Sequence, residues 1–99
     1  MATSFNLLDD ITPDDRKSAT VQLAYPVTLA DRELASVTMR RPTMGDLLDH
    51  EPQKPEDVKG EVRLIGILCG LKEEEIRLLD ATDYARLQKQ YVQFRAVPK

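Results

Sequence analysis

VTMRRPTMGDLL, residues 37–48, is the stretch in which the pattern of the chain changes from that of a strand to that of a helix. Before its two arginines, apolar and polar residues alternate, which is the period of a half-buried strand. Pro42 has no amide hydrogen to donate to a neighbouring strand, so it ends this element. Thr43 is followed three residues later by Asp46, which is close to the pattern of a helix capping box. We therefore expect a short helix over about residues 43–51, directly after the strand.

The residues before this stretch predict the partner strand of a β-hairpin. The chain alternates in the same way from residue 20, and ADRE at residues 30–33 supplies a polar turn between the two runs. Because Pro26 cannot donate a hydrogen bond, the first strand is expected to lie at a sheet edge or to bulge there. An isolated hairpin is marginally stable in water, so helices or another chain must cover its apolar face. That face is expected to carry Val21, Leu23, Tyr25, Val27, Leu29, Ala35, Val37 and Met39.

The rest of the chain predicts further helices and no second domain. The expected helices run over about residues 55–69 with Gly70 as the stop, 73–79, and 82–95 with Asp80 and Thr82 as caps. The fold class is therefore α+β, with an N-terminal β-hairpin followed by three to four short helices. Residues 19–97 are expected to form a single small domain. Residues 1–18 are expected to be a flexible N-terminal tail, because aspartates crowd around Pro13 without a clear period.

The second helix carries more apolar residues than one buried face requires. One stripe along it comprises Val58, Val62, Ile65, Leu68 and Cys69. Leu64, Ile67 and Leu71 lie to the side of that stripe. Two interpretations stay open. Either this is the central helix, covered on two sides by its own domain, or its second side meets a partner, in which case Leu64, Ile67 and Leu71 are candidate partner-binding residues.

The arginine pair also has two interpretations. Successive strand residues face opposite sides, so Arg41 shares a face with Met39 while Arg40 points the other way. We interpret Arg40 as a solvated edge charge. Arg41 either covers the rim of the core with its stem, pairing with Asp46 or Asp49, or contacts an acidic segment of a partner, and it is therefore a further candidate partner-binding residue.

The motifs of catalytic and metal sites are missing from the sequence. It has no H-E-x-x-H, no P-loop, no G-x-G-x-x-G and no C-x-x-C. The single histidine, His50, is expected to lie at a helix end, where histidines are commonly solvated or capping residues. The single cysteine, Cys69, excludes an internal disulfide and is interpreted as a small buried apolar residue. We therefore predict neither an enzyme nor a metal or cofactor site.

Charge and hydropathy argue against nucleic-acid and membrane partners. The net charge is −3, so the chain as a whole does not favour nucleic acid. The last predicted helix is basic and aromatic, but its Tyr84, Tyr91 and Phe94 are expected on a different face from its lysine and arginine residues, whereas stacking sites present both together. No apolar run approaches the length of a membrane span. We expect a cytoplasmic protein.

Two longer stretches add a resemblance to these patterns. YPVTLADRELASVTMRRPTMGDLLDHE, residues 25–51, looks like the opening of the phage tail assembly chaperone family of Mu-like and related contractile-tailed phages. Its members tend to have a β-run that ends in a basic pair and proline, followed by a short helix of the DLL type. LIGILCGLKEEEIRLLDATDYARLQKQYVQF, residues 64–94, resembles the second half of the same family. The resemblance covers about residues 21–95.

The resemblance implies a function and partners. Proteins of this family are thought to bind the tape measure protein, a long and largely helical apolar chain that sets tail length, and to keep it soluble while tail tube subunits polymerise around it. The expected partners are the tape measure protein, tail tube subunits, a frameshifted longer form of the same protein, and further copies in a homo-oligomer. The expected location is the host cytoplasm, with the protein absent from the mature virion.

Two other functions stay open at this point. The chain could be a small nucleic-acid-binding phage regulator that uses its last helix, or a structural component retained in the finished tail. Salt-sensitive binding to nucleic acid would favour the regulator. Presence in purified virions would favour the structural component, and soluble co-purification with a long helical partner would favour the chaperone.

Overall fold

The structure is a computed structural model that describes residues 12–52, 54 and 56–97. An antiparallel hairpin is followed by four helices within these residues, which confirms the predicted α+β class. The strands and helices are β1 (Ser18–Thr28), β2 (Glu33–Arg40), α1 (Met44–His50), α2 (Val58–Cys69), α3 (Glu73–Ile76) and α4 (Ala81–Arg95).

The hairpin contains a bulge in β1 that includes Pro26. Ordinary pairing extends from Ser18 opposite Arg40 to Gln22 opposite Ser36, and it resumes with Val27 opposite Leu34. Residues 23–26 of β1 therefore face only Ala35 of β2. The expected bulge at Pro26 is present, and it changes which side chains face inward. Tyr25, which simple alternation placed on the buried face, is 59% exposed, so that assignment was wrong. Ala35 is likewise exposed.

The helix α1 begins as the sequence predicts. The amide of Asp46 donates to Thr43 Oγ1 at 3.2 Å, and the amide of Thr43 donates to Asp46 Oδ2 at 2.8 Å. These reciprocal bonds form the capping box and satisfy two amides that have no partner within a helix. The helix is short, and none of its residues is buried.

The helix α2 begins later than predicted and ends where predicted. Asp57 caps its start by accepting a hydrogen bond from the amide of Gly60 at 2.9 Å, while Pro55 lies outside the described residues. Gly70 ends the helix with φ 67° in the left-handed conformation, which glycine adopts without the steric cost of a side chain.

The buried face of α2 is rotated from the predicted stripe. Leu64 and Ile65 are each 1% exposed and Leu68 is 2% exposed, whereas Val58 is 64% exposed. The predicted stripe was therefore wrong at its edges, since it included Val58 and placed Leu64 to the side. The physical reason is the width of the apolar arc. Several rotations of the helix bury a similar area, so the elements packed against α2 decide the rotation.

The core lies between the inner face of the hairpin and two helices. The helix α2 packs against β2, and α4 packs against β1. This arrangement gives the hairpin the apolar cover that it needs within the same chain. The buried residues of the cluster are Ala19, Leu23, Val37, Met39, Leu64, Ile65, Leu68, Leu87 and Phe94.

A buried carboxylate connects α4 to the bulge. Asp83, in the first turn of α4, is 0% exposed. Its Oδ1 accepts a hydrogen bond from the amide of Ala24 at 2.9 Å, and its Oδ2 accepts one from the amide of Tyr25 at 3.0 Å. Arg86 Nε lies 3.7 Å from Oδ1. The carboxylate thus satisfies two amides that the bulge removes from the strand ladder, and it lies at the helix end that favours negative charge.

Replacement of Gly66 by alanine is expected to destabilise the domain, although alanine is the better helix former. A Cβ atom there would lie 2.8 Å from the carbonyl oxygen of Leu71 and 3.0 Å from Cδ1 of Ile76. Crowding of this kind typically costs about 1–3 kcal/mol, against about 1 kcal/mol gained in helix propensity. Thermal unfolding should show a melting temperature lower by several degrees, since 1 kcal/mol corresponds to roughly 4–8 °C in a domain of this size.

Gly45 in α1 provides the matched control. A Cβ atom at Gly45 would have Thr43 Oγ1 as its nearest neighbour at 3.6 Å, which is an ordinary contact. The Gly45→Ala variant should therefore melt at the wild-type temperature or above it. An unchanged or raised melting temperature for Gly66→Ala would contradict the close packing of α2 on the segment that follows it.

Candidate protein-binding surface

Arg41 is bound within the domain. Its Nη1 donates to the carbonyl oxygens of Asp14 and Arg16, the second at 3.2 Å, and its Nη2 lies 3.4 Å from the carbonyl oxygen of Phe94. The guanidinium carbon lies 5.4 Å from the centroid of the Phe94 ring. A planar guanidinium suits this position because it donates in several directions and stacks on an aromatic face. Arg41 therefore joins the segment before β1 to the end of α4.

Arg40 has the acidic partner that sequence analysis assigned to Arg41. Its Nη1 and Nη2 donate to the two carboxylate oxygens of Asp46 at 2.6 Å and 2.8 Å. The Arg40 side chain is 46% exposed, as a solvated edge charge requires, but it is also paired. The expected pairing of Arg41 with Asp46 or Asp49 was wrong. The hydrogen bonds from Arg40, together with the amide of Thr43, hold the pKa of Asp46 well below its ordinary value.

The end of the predicted tail lies against α4. The amide of Asp14 donates to the carbonyl oxygen of Gln93 at 3.1 Å, and its Oδ2 accepts from Gln90 Nε2 at 2.8 Å and from Arg16 Nη2 at 2.6 Å. Gln90 is itself buried. These bonds connect Asp14 to Gln90 and Gln93 on α4 and to Arg16 in its own segment. The flexibility of residues 1–18 stays a prediction, because residues 1–11 lie outside the described part of the chain.

The three candidate residues at α2 differ in exposure. Leu64 is enclosed in the core, so the isolated chain does not present it to solvent. Ile67 and Leu71 are half-buried, and Leu71 packs against the edge of the core. None of the hydrogen bonds and ring contacts of the Arg41 guanidinium given above involves these residues. Their assignment to partner binding, together with that of Arg41, stays a prediction.

Two exposed apolar residues of α1 were not singled out from the sequence. Met44 is 66% exposed and Leu48 is 79% exposed. They are four residues apart in the same helix, so they occupy one face of it. Leu47 instead packs against the core. The short length of α1 is the signal that could have indicated that this helix cannot bury all of its apolar residues.

A groove lies between α2, α4 and three residues that follow α1, namely Glu51, Pro52 and Lys54. Its volume is about 530 Å³. Leu64, Ile65, Tyr91 and Val92 give it apolar side chains. Five charged residues among those described also line it, namely Glu51, Lys54, Asp57, Glu61 and Arg95. We call this feature the α2–α4 groove. Its volume is in the range of sites that bind ligands, and its lining combines apolar contact with charge.

Hydrogen bonds between α2 and α4 fix one side of this groove. Glu61 Oε1 accepts from Tyr84 Oη at 3.1 Å and from Gln88 Nε2 at 2.6 Å. Burial, with the negative charge of Glu61 as the next cause, raises the pKa of the Tyr84 hydroxyl, so Tyr84 stays protonated and acts as a donor. At the opposite end Arg95 Nη1 contacts Glu51 Oε1 at 3.3 Å and Tyr91 Oη at 3.0 Å.

The single cysteine of the sequence is poorly suited to nucleophilic attack. Burial raises the pKa of the Cys69 thiol to about 12, so the thiolate needed for nucleophilic attack is scarce near neutral pH. No group of three or more His, Cys, Asp or Glu residues within residues 12–52, 54 and 56–97 could hold a metal ion. None of the helices described is long and apolar enough to cross a membrane.

The part of the chain that forms these strands and helices matches the model of a known protein family. The family model described as phage tail assembly chaperone proteins, E, or 41 or 14, matches residues 20–95. The match covers most of the chain, from β1 to the last residue of α4. The chain therefore belongs to the phage tail assembly chaperone family, which confirms the resemblance seen in the sequence. Neither the curated proteins nor the solved structures give a match.

Acid should weaken the attachment of the segment before β1. Hydrogen bonds from Arg16, followed by the one from Gln90, hold the pKa of Asp14 well below its ordinary value of 3.8. A lowered pKa in the folded state adds stability above about pH 4, and this stability is lost as the pH falls below that value. The wild-type melting temperature should therefore fall between about pH 5 and pH 2 more steeply than that of Asp14→Asn.

Asp49→Asn is the control for this comparison. Asp49 is exposed on α1, and no hydrogen bond to its side chain is present among the residues described. Its variant should retain the wild-type pH profile. Parallel profiles for the wild type and Asp14→Asn would contradict a stabilising role for the Asp14 carboxylate.

Proposed function

We propose that this chain is an assembly chaperone that binds the tape measure protein and keeps it soluble while the tail tube forms. Membership of the phage tail assembly chaperone family gives the general role. The observation that supports the specific proposal is that the domain, which is otherwise charged at its surface, has exposed and half-exposed apolar side chains. Such surface marks sites of protein contact more often than it serves the isolated chain.

The proposed activity needs no reacting group. A chaperone of this kind must cover the apolar stripe of its client until another protein replaces it. Met44 and Leu48 offer flexible apolar side chains, and methionine in particular adapts to contact surfaces of different shape. The α2–α4 groove offers a concave apolar surface near the loop that follows α1. Both features suit the binding of a helical, apolar partner.

Only some of the residues predicted for partner binding are proposed here to contact the partner. Ile67 and Leu71 are half-buried, and we propose them as part of the partner-binding side of α2. Leu64 packs in the core, so its substitution would act on stability. Among the described residues, Arg41 donates to the backbone carbonyl oxygens of Asp14, Arg16 and Phe94, which supports the interpretation that it closes the core rim.

The Ile67→Asp variant tests this assignment. If Ile67 contacts a partner, the domain should retain its cooperative melt, since Ile67 is only half-buried, and should lose client binding. The Leu64→Asp variant is the matched comparison and should lose the cooperative melt, because a buried unpaired charge is strongly destabilising. Loss of cooperative melting in both variants would place Ile67 in the core as well.

The other expected features follow from this role. We propose that the protein acts in the host cytoplasm, as a homo-oligomer, and is absent from the mature virion. We also propose contacts with tail tube subunits and with a frameshifted longer form of the same protein. A client with a long apolar helix needs several binding domains along its length, which is the physical argument for several copies.

Co-expression with the tape measure protein of the same phage tests the function. We expect the client to be soluble only when this chain is present, and the two to co-elute at a defined ratio in size-exclusion chromatography with light scattering. A client whose solubility is the same with and without this chain would contradict the proposal. Detection of the chain in purified virions would favour a structural tail component, and salt-sensitive retention on nucleic acid would favour a regulator.

A further inference from the structure

We infer that the α2–α4 groove binds one amphipathic helix of the client, with an apolar stripe flanked by basic residues. This inference rests on the proposed function, because it names the surface and the chemistry of the same interaction. It differs from the sequence-based expectation, which placed partner binding at the side of α2 that carries Ile67 and Leu71.

The spacing of the lining residues on α4 fits a helical partner. Gln88, Tyr91, Val92 and Arg95 line the groove and occupy one stripe of α4, at positions i, i+3, i+4 and i+7. Two turns of helix with this spacing extend about 10 Å. An amphipathic helix that binds in a groove makes contact through its own residues i, i+3, i+4 and i+7. The apolar stripe of such a partner therefore has the same spacing as the lining residues of α4.

The apolar part of the groove is accessible between polar side chains. Val92 and Tyr91 are half-buried, so each presents part of its surface to the groove. Ile65 and Leu64 close the groove from the side of α2. Leu64 and Ile65 are each 1% exposed, so the apolar surface that a partner side chain can remove from water belongs to Tyr91 and Val92 on α4.

The charge around the groove selects a basic partner. Asp57 and Glu61 are four residues apart at the start of α2, and both line the groove. Like charges at this spacing repel each other on a helix. The hydrogen-bond donors to Glu61 are the neutral side chains of Tyr84 and Gln88, and no cation lies within salt-bridge distance of Asp57 or Glu61 in the described part of the chain.

Three acidic residues line the groove against two basic ones, Lys54 and Arg95, so the charge of the lining stays negative. Arg95 is paired with Glu51 at 3.3 Å, so its positive charge is already balanced at the other end of the groove. A lysine or arginine that flanks the apolar stripe of a bound helix would relieve the repulsion between Asp57 and Glu61. Acidic residues beside the apolar stripe of a bound helix would add to the repulsion. The groove therefore discriminates by charge between helices with the same apolar stripe.

Two synthetic peptides provide the direct test. Each has about 20 residues, which is long enough for measurable helicity, and both have the same leucine and isoleucine stripe. One has lysines along its flanks and the other has glutamates. Fluorescence anisotropy with the purified wild-type chain should show that the lysine peptide binds at least about tenfold more tightly, with an advantage that shrinks as salt is added.

Matched variants locate the binding. Val92→Asp should weaken the lysine peptide at least about tenfold, because Val92 lies in the groove. Val97→Asp should bind it as the wild type does, since Val97 is 81% exposed and does not line the groove. Val92→Thr, which has nearly the same shape, supplies a second test in case Val92→Asp fails to fold, and it should also weaken binding.

Removal of one negative charge from the groove tests whether the groove prefers a basic partner. Glu61→Gln retains an oxygen that can accept hydrogen bonds from Tyr84 and Gln88 but removes the negative charge, so the preference for the lysine peptide should fall. Glu33→Gln, exposed on the hairpin, is the control and should leave the preference unchanged. Melting curves of each variant report whether the domain stays folded.

The outcomes separate this inference from the proposed function. Equal binding of both peptides, or binding that survives Val92→Asp and Val92→Thr, overturns the groove as the site. A dimer of this chain that Val92→Asp dissociates also overturns it, in favour of a second copy as occupant. Co-elution of the client with folded Val92→Asp would leave the chaperone function in place, whereas failure of the client to bind the wild type overturns the function itself.

Discussion

The carboxylate of Asp83 is the interaction on which the arrangement of this domain depends. It accepts hydrogen bonds from the amides of Ala24 and Tyr25 and is itself fully buried. A buried charge without a partner is strongly destabilising. The carboxylate therefore requires the two amides, which the neighbouring strand leaves free at the bulge. The bulge in β1 supplies the donors, and the first turn of α4 supplies the acceptor.

This contact determines the surface on which the function is proposed. With its first turn attached to β1, α4 runs across the core, and its opposite end meets Arg41 and the segment before β1. The stripe of α4 that does not face the core then lies beside α2 and forms the groove. The helix α1 packs on α2 instead and leaves Met44 and Leu48 exposed. A chaperone domain of this family thus gains apolar surface from the way in which its core is closed.

The order of strands and helices was predictable from the sequence because it depends on local physics. The alternation before Pro42, the capping box of Thr43 and the glycine at position 70 each act over a few residues. The rotation of α2 and the partner of Arg40 were not predictable, since each depends on packing between elements. Asp83 was missed for the same reason. Its donors lie 58 and 59 residues away in the sequence, and an aspartate in the first turn of a helix is already favourable there without them.

The most direct test of this account is amide hydrogen exchange at Ala24 and Tyr25, measured by NMR in the folded wild-type chain and in Asp83→Asn. Both amides should be protected in the wild type nearly to the level of global unfolding, although they lie in an interruption of the strand ladder. In Asp83→Asn at least one of them should exchange much faster, since one oxygen acceptor is replaced by a donor. Rapid exchange of both amides in the wild type, at the rate of the exposed turn at Asp31, would contradict the claim that the buried carboxylate joins α4 to the hairpin.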